Sequence, residues 1–332
     1  MTDSSKTTGR GPERPPCTTI GVLVPAHFQQ ELQDRCSHLG VQLLPYDPLG
    51  VPGENASGAT ALFRWWISPE AGDRLIEEHP LRWIHTGSAG VDHILTPRFL
   101  SSDIILTNSA GVHAPSIAEW VVTAMLAFTK GLPAMLDQQE RAQWEKVERD
   151  ELVGKRVVFL GGGQIAREVA IRLRPFGMHL KAVTRSGAGD ACFDESRGPA
   201  DFLEGLHDVD WLIVAMPLTA ETDGFVNARV LDALPAKARL INVSRGAIVD
   251  EAALITALET GRLAGAMLDV FDEEPLPAHH PFWKMKSVLV LPHTTWRSPL
   301  VRQRQLDLFI DNLGRFVKGE LLRNVVDVTA GY

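Results

Sequence analysis

The chain has 332 residues, of which 45% are hydrophobic, so it is long enough to form about two packed domains. A formal net charge of −8 and the lack of a basic block argue against nucleic acid as a partner. No apolar run approaches the ~18 residues of a membrane span, and the cysteines Cys17, Cys36 and Cys192 share no metal or disulfide spacing, so we expect a cytoplasmic protein without a bound metal.

The first part of the chain is predicted to be a tail followed by an α/β unit. Residues 1–17 are polar and rich in Gly and Pro, which predicts a disordered tail rather than a secretory signal. Ser68 and Pro69 have the residue types of an N-cap and a first helical position. Five short strands are predicted, at residues 18–24, 41–44, 59–66, 81–85 and 104–107.

A second α/β unit follows a predicted long helix at residues 116–135, whose apolar residues recur at helical spacing. A last helix is predicted at residues 299–317. Six strands are predicted between these helices, at residues 157–160, 179–184, 211–215, 238–243, 264–270 and 288–291. We therefore predict a second parallel sheet.

A glycine-rich turn lies between the first strand of this second unit and the helix that follows it. Gly161 and Gly163 stand where the turn and a bound pyrophosphate leave no room for a side chain, and Ala166 is the tolerated third residue. The amides of Gln164 and Ile165, at the helix start, would face the phosphates. An ordinary glycine turn is the alternative, but the strand–turn–helix context favours a dinucleotide site.

Several further segments stand in the order and spacing of one protein family. They are 107–119 (TNSAGVHAPSIAE), the glycine turn, 242–246 (NVSRG), 268–271 (LDVF) and Pro292-His293. Over roughly residues 18–328, the chain resembles the D-2-hydroxyacid dehydrogenases. The resemblance implies an α/β protein with two doubly wound parallel-sheet domains, a cleft between them, and a homodimer formed largely by the nucleotide-binding domains.

The resemblance also places the domain boundaries. A Rossmann nucleotide-binding domain at residues 116–297 is expected to be inserted into a flavodoxin-like substrate domain, which comprises residues 18–115 and 298–332. Ligands of such sheets bind outside the carboxyl ends of the strands. Candidate site residues should therefore follow strands.

Reduction of a 2-keto acid requires a cation for the carboxylate and a proton donor for the carbonyl oxygen. Arg245 follows a predicted strand, and its planar guanidinium can bind both substrate oxygens. His293 also follows a strand, and an imidazole is the side chain that ordinarily gives and takes a proton near neutral pH, as an acid/base requires. Glu274 matches the family's paired carboxylate, with Glu273 as its nearest rival. The alternative for Arg245 is a surface residue at a strand end.

Other residues take their expected roles from the resemblance. Asp269 would contact the nicotinamide carboxamide, and Asp92 would hold a loop rather than react. The turn Ser88-Ala89-Gly90 would bind the substrate carboxylate through backbone N–H groups. Further cofactor contacts are expected at Met216, Pro217, Val243, Ser244 and Trp296. The adjacent residues His279 and His280 are predicted to be solvated rather than to bind a metal.

The residues at the end of the second strand of the nucleotide-binding domain predict which cofactor is preferred. An NAD-specific site has an acid roughly 20 residues after the glycine turn, whereas this chain has Thr184, Arg185 and Ser186 there, with no acid before Asp190. These three residues can bind a 2′-phosphate. We therefore predict a preference for NADP, with NAD binding as the alternative.

The tryptophans Trp66 and Trp296 are candidates to narrow the substrate pocket, although core packing would also explain them. The predicted substrate is a small 2-keto acid or D-2-hydroxy acid. Within the same fold, formate and phosphite dehydrogenases are disfavoured, because Glu274 replaces a glutamine and the loop before Gly90 has no lysine. A nucleotide-sensing corepressor with little turnover is the alternative from another functional class.

Overall fold

The computed structural model describes residues 20–54, 56–200 and 202–329, so the predicted tail at residues 1–17 lies outside the described residues. Contacts divide the described chain into two compact units. The first comprises residues 20–87, Ile94–Thr107 and Phe309–Val325, and the second comprises Ser88–His93, Asn108–Leu308 and residues 326–329. Residues 108–115 and 298–308 thus group with the second unit. The domain boundaries inferred above from the sequence stay a prediction.

The first unit contains a parallel sheet with the strand order β2-β1-β3-β4-β5. Its strands are β1 (Gly21–Pro25), β2 (Gln42–Tyr46), β3 (Ala59–Arg64), β4 (Trp83–Thr86) and β5 (Ile105–Thr107). All five correspond to predicted strands, although most of their ends differ from the predicted ends.

Between these strands, the described residues form the α-helices α1 (Gln29–Cys36), α2 (Pro69–Glu78) and α3 (Pro97–Leu100). Ser68 caps α2 as predicted, because its hydroxyl accepts the N–H of Ala71 at 3.2 Å. Thr96 caps the short helix α3 in the same way, accepting the N–H of Phe99 at 3.1 Å.

The second unit contains a seven-stranded parallel sheet in the order β12-β11-β10-β9-β6-β7-β8. Its strands are β6 (Arg156–Leu160), β7 (His179–Val183), β8 (Glu195–Arg197), β9 (Trp211–Val214), β10 (Arg239–Asn242), β11 (Gly265–Leu268) and β12 (Val288–Val290). The prediction of six strands missed β8. This edge strand has three polar residues, so it lacks the apolar run that reveals a strand in sequence.

The helices that follow are α4 (Ala114–Lys130), α5 (Leu132–Glu140), α6 (Gln164–Leu173), α7 (Ala228–Ala233), α8 (Glu251–Glu259) and α9 (Pro299–Lys318). The prediction of one helix over residues 116–135 was wrong. Gly131 ends α4 in a left-handed conformation with φ of 66°, and Pro133 lies in the first turn of α5. In the described part of the chain, no helix has the length and apolar character that a membrane crossing needs.

Both faces of the seven-stranded sheet are covered, which explains why its strands are almost continuously apolar. Alternate residues of β6 belong to different hydrophobic clusters: Val158 and Leu160 pack with residues of α7 and α8, whereas Val157 and Phe159 pack with residues of α4 and α6. All strands run parallel, so their carboxyl ends share one edge. Most residues of the candidate site follow these ends, whereas Trp66 and the loop Ser88–Gly90 follow β3 and β4 of the first sheet.

Candidate active site

Arg245 follows β10 and lies directly over the loop that begins at Ser88. A methyl group on Gly90 would stand 2.1 Å from Nη2 of Arg245, so the guanidinium rests against the loop backbone. Nη1 donates to the carbonyl of Ser244 at 2.9 Å, and Nη2 donates to Asp92 Oδ1 at 3.4 Å. The arginine and the loop predicted to bind the substrate carboxylate are therefore adjacent, and Asp92 contacts the arginine.

Two hydrogen bonds donated by side chains fix the shape of the loop. The hydroxyl of Ser88 donates to the carbonyl of Gly90 at 2.8 Å, and Nδ2 of Asn108 donates to the carbonyl of Ala89 at 2.8 Å. Both bonds use carbonyl oxygens as acceptors. They therefore hold the loop without using its backbone N–H groups.

The turn around Arg245 is held by two residues whose roles sequence reasoning missed. Buried Asn242 donates to the carbonyl of Arg245 at 2.9 Å and accepts the N–H of Ser244 at 3.1 Å. Gly246 faces the backbone of the next loop, since a methyl group there would lie 2.1 Å from the carbonyl carbon of Phe271. The family resemblance singles out the segment NVSRG, but no local pattern in it shows that a side chain at Gly246 would separate two loops.

His293 and Glu274 form a hydrogen-bonded pair, with Nδ1 of the imidazole 2.8 Å from Oε2 of the carboxylate. The other carboxylate oxygen accepts the N–H of Phe271 at 3.1 Å. The two side chains are 40% and 36% exposed, so solvent and ligands can reach them. The structure therefore brings Glu274, rather than its exposed neighbour Glu273, to the histidine.

The backbone of His293 is in the left-handed region with φ of 47°, a strained conformation that surrounding contacts must maintain. Asp269 supplies them: its buried carboxylate accepts the N–H groups of Thr294 at 2.8 Å and Thr295 at 3.2 Å, and the Thr295 hydroxyl. Burial raises the pKa of Asp269, although these hydrogen bonds and nearby His293 act in the opposite direction. The nicotinamide contact of Asp269 stays a prediction.

Gly161 and Gly163 have different reasons to be glycine. Gly161 has φ of 100°, and a methyl group there would lie 2.7 Å from the carbonyl oxygen of Ala215, so the protein itself excludes a side chain. At Gly163, the described residues place no heavy atom within 4 Å of that position. Gly163 caps α6, whose first residues are Gln164 and Ile165. Open space at a helix N-terminus fits a pyrophosphate.

The end of β7 presents polar groups beside this turn. The Thr184 hydroxyl is buried and has no hydrogen-bond partner among the described residues, while Arg185 and Ser186 are exposed. Asp190, the first acid after the strand, is 2.5 Å from Arg167 and accepts the N–H of Cys192. Hydrogen bonds to Cys192 lower the pKa of Asp190. An unpartnered hydroxyl beside a cationic side chain fits the ribose end of a phosphorylated dinucleotide.

The other predicted cofactor residues lie at the ends of neighbouring strands. Met216 and Pro217 follow β9, and Val243 and Ser244 follow β10. The hydroxyl of Ser244 donates to the carbonyl of Met216, which joins the two strand ends. Their contact with a cofactor stays a prediction.

The tryptophans differ in their surroundings. Trp296 is half-buried, donates its Nε1–H to the carbonyl of His293 at 3.0 Å, and meets the ring of His113 edge-on. Trp65 packs edge-on against Phe28 in the first unit, whereas Trp66 is 71% exposed. Core packing therefore explains Trp65. The predicted contacts of Trp66 and Trp296 with substrate stay predictions.

The expectation that His279 and His280 are both solvated is wrong for His280. Its side chain is only 14% exposed, and its Nε2 lies 2.9 Å from Oε1 of Glu251. Sequence spacing did not reveal this pair, because Glu251 lies on α8, far from His280 in the sequence.

The two parallel α/β units, the strand–glycine turn–helix, and the histidine–carboxylate pair at the sheet edge that also carries Arg245 are typical of a nicotinamide-dependent oxidoreductase. A sequence model for the NAD binding domain of D-isomer specific 2-hydroxyacid dehydrogenases matches residues 122–295. The chain belongs to this family, and it is an NAD(P)-dependent 2-hydroxyacid dehydrogenase.

Individual relatives agree with this assignment. A glyoxylate reductase of Thermofilum pendens is 34% identical over 251 residues, which cover 73% of each chain. A 2-hydroxyacid dehydrogenase of Xanthobacter autotrophicus, solved with NADPH and MES, superposes with a TM-score of 0.84 at 28% identity, covering 95% of this chain and 99% of its own. An NADPH-dependent glyoxylate/hydroxypyruvate reductase of Sinorhizobium meliloti, solved with NADP and sulfate, gives 0.80 at 27% identity, with 95% and 100% covered.

Proposed function

We propose that this enzyme reduces a small 2-keto acid to the D-2-hydroxy acid, with His293 and Glu274 as the acid/base pair and Arg245 as the substrate-binding cation. The observation that carries the proposal is the 2.8 Å bond between His293 and Glu274 at the sheet edge that also presents Arg245. Relatives named glyoxylate reductase and glyoxylate/hydroxypyruvate reductase support the substrate class.

In the proposed mechanism, Arg245 and the N–H groups of the loop around Gly90 bind the substrate carboxylate. Since Glu274 occupies Nδ1 of His293, Nε2 donates the proton to the carbonyl oxygen. A nicotinamide cofactor held at Gly163, the start of α6 and the end of β7 would supply the hydride. Glu274 stabilises the charged imidazole before transfer, because an adjacent carboxylate favours the protonated form.

A panel of keto acids tests this proposal. Glyoxylate, hydroxypyruvate and pyruvate should be reduced, and an aldehyde of the same size without a carboxylate should react poorly, because Arg245 would have no partner. Oxidation of NADPH or NADH is followed by absorbance. Binding of the dinucleotide with no turnover of any keto acid would favour the corepressor alternative and overturn the proposal.

We also propose that the substrate is small. Trp296 hydrogen-bonds to the carbonyl of His293 and would narrow the substrate pocket beside that histidine. Trp296→Ala should raise kcat/KM for longer 2-keto acids relative to glyoxylate. An unchanged ranking of short against long substrates would contradict this role. The role of exposed Trp66 is tested by the same comparison with Trp66→Ala.

The proposed cofactor preference is for NADPH over NADH. The buried, unpartnered hydroxyl of Thr184 and the exposed side chains of Arg185 and Ser186 support it, since together they offer hydrogen bonds and positive charge to a 2′-phosphate. In addition, Asp190 is already paired with Arg167. The test compares kcat/KM for the two cofactors at saturating keto acid. A higher value with NADH would contradict the preference.

We propose a homodimer formed by the second unit. Several large apolar side chains on α4, α5 and the segment after them are exposed, namely Trp120, Leu132, Met135, Leu136, Trp144 and Val147. Exposed large apolar side chains clustered in one stretch of the chain are typical of protein–protein contacts. Leu136→Glu should yield monomers in light scattering after gel filtration, whereas Leu321→Glu, at an exposed site of the first unit, should not. A cytoplasmic location stays a prediction, which cell fractionation tests.

A further inference from the structure

His280 lies at the end of the loop that carries Glu274, and its ring is held on both sides. Nδ1 accepts the N–H of Phe282 at 3.3 Å, so in the neutral ring the proton is on Nε2. Nε2 then donates to Oε1 of Glu251 at 2.9 Å. The side chains are 14% and 22% exposed, so water screens this bond poorly and competes for it little.

Glu251 lies at the end of the segment that carries Arg245. It is the first residue of α8, which is capped by Asp250 through the N–H of Ala253 at 3.0 Å. The segment Arg245–Glu251 and the loop Phe271–His280 therefore meet at two places. Near their beginnings, Gly246 packs against the peptide after Phe271, and at their ends Glu251 binds His280.

Negative charges near Glu251 give the pair of Glu251 and His280 a second effect on the loop. Asp272 lies two residues before Glu274, and its pKa is raised by burial and then by the negative charges of Glu251, Asp223 and Asp250. His280 satisfies the carboxylate of Glu251 by hydrogen bonding. Without His280, the Glu251 carboxylate would still repel Asp272, and the loop would lose its hydrogen bond to α8.

We propose that Glu251 and His280 are a positioning pair, which holds the loop so that the Glu274 carboxylate stays within hydrogen-bonding distance of His293. Neither residue touches the reacting atoms, and the inference rests on the proposed function of Glu274 and His293. When the pair is broken, the bond between Glu274 and His293 weakens. The imidazolium of His293 is then less stable, and reduction should require a lower pH.

The experiment measures the pH dependence of kcat for keto acid reduction with saturating NADPH. His280→Ala and Glu251→Ala should move the profile toward lower pH, in the direction of Glu274→Gln but less far, and should lower kcat by less than the roughly 10²-fold that loss of an acid/base group costs. KM for NADPH should stay unchanged, because neither Glu251 nor His280 belongs to the glycine turn or to the end of β7. If Glu251→Ala does not fold, His280→Ala remains measurable, since the freed Glu251 carboxylate can reach water.

Two comparisons separate positioning from simple stabilisation. Glu251→Gln keeps an oxygen that accepts the Nε2–H of His280, so it should recover most of the wild-type profile that Glu251→Ala loses. Thr256→Ala, on the exposed side of α8, is the matched control and should leave the profile unchanged.

A wild-type pH profile in His280→Ala, with only a lower melting temperature, would overturn the inference while the proposed function stands. If Glu274→Gln also leaves the profile unchanged, the proposed acid/base pair fails, and the positioning role fails with it.

Discussion

His293 and Glu274 are joined at 2.8 Å through Nδ1 and Oε2, while Oε1 of Glu274 is held by the N–H of Phe271 at 3.1 Å. The carboxylate is therefore fixed at both oxygens. This leaves Nε2 as the nitrogen of His293 that can exchange a proton with a substrate, and it predicts how each side chain contributes.

Glu274→Gln should move the pH profile of reduction toward lower pH. The neutral amide stabilises the imidazolium less than the carboxylate does, so proton donation to the substrate is favoured only in more acidic solution. Oxidation of the hydroxy acid, which needs the neutral ring, should extend to lower pH. The measurement is kcat against pH in both directions. Glu273→Gln is the control, and an equal shift there would contradict the assignment.

His293→Ala should lower kcat by about 10²- to 10⁴-fold, the usual contribution of a positioned acid/base group. Arg245→Ala should instead remove most keto acid binding, because the carboxylate loses its cation. Dissociation constants for NADPH, measured by fluorescence, should change little in either variant. Near-normal turnover of His293→Ala would show that another group supplies the proton.

The turn after His293 depends on Asp269. Asp269→Ala removes the acceptor for two backbone N–H groups and for the hydroxyl of Thr295, and buried donors without partners cost about 1 to 3 kcal/mol each. The strained conformation of His293 would then relax, so kcat should fall together with the free energy of unfolding. Thr294→Ser keeps every backbone bond to Asp269 and serves as the control. Wild-type kcat in Asp269→Ala would contradict this account.

Sequence reasoning found most strands because a parallel sheet covered on both faces leaves apolar runs such as Val157–Leu160. It missed β8, whose polar residues pair only at a sheet edge. It also merged α4 and α5, although Gly131 and Pro133 together mark a break.

Arg245 and His293 were predicted because they follow strands, whereas Glu274 and the loop at Gly90 were predicted from the family resemblance. The structure joins His293 to Glu274 and Arg245 to this loop. What sequence could not supply was contact between distant segments. The pairing of His280 with Glu251 depends on how a loop folds back onto α8, and the need for glycine at 246 depends on the backbone of Phe271. Neither relationship leaves a local pattern.

A double variant tests the cofactor prediction. Thr184→Asp with Arg185→Ala places a negative charge where a 2′-phosphate would bind and removes the cation, so KM for NADPH should rise and NADH use should improve. The measurement is kcat/KM for both cofactors. Arg174→Ala, an exposed arginine of the same unit, is the control. A double variant that still prefers NADPH to the wild-type degree would contradict the assignment.

Two glycines allow a matched comparison of packing and binding. Gly246→Ala puts a methyl group 2.1 Å from the carbonyl carbon of Phe271, and such overpacking should lower stability by about 1 to 3 kcal/mol. Gly163→Ala meets no described atom within 4 Å, so stability should be kept while KM for NADPH rises. Denaturant unfolding and cofactor kinetics distinguish the two effects. Loss of stability in Gly163→Ala without a change in KM would contradict the prediction.

His85 should make the first unit sensitive to acid. Its ring is fully buried, with Nδ1 2.8 Å from the Thr107 hydroxyl, which also accepts the Nε1–H of Trp83 at 2.9 Å. Burial lowers the pKa of His85 to about 3, from an ordinary value near 6.5. The neutral ring is favoured in the folded state, so its contribution to stability is complete above about pH 6.5 and is lost as the pH falls toward about 3.

At pH 4.5 this loss should amount to about 2 to 3 kcal/mol relative to pH 7, because the unfolded chain binds a proton that the folded chain does not. His85→Gln cannot be protonated, so its free energy of unfolding should fall less between these two pH values than that of the wild type. Urea unfolding at both pH values measures the difference. His38→Gln removes an exposed histidine and should behave as the wild type. Equal acid sensitivity of His85→Gln and the wild type would show that the buried ring is not responsible.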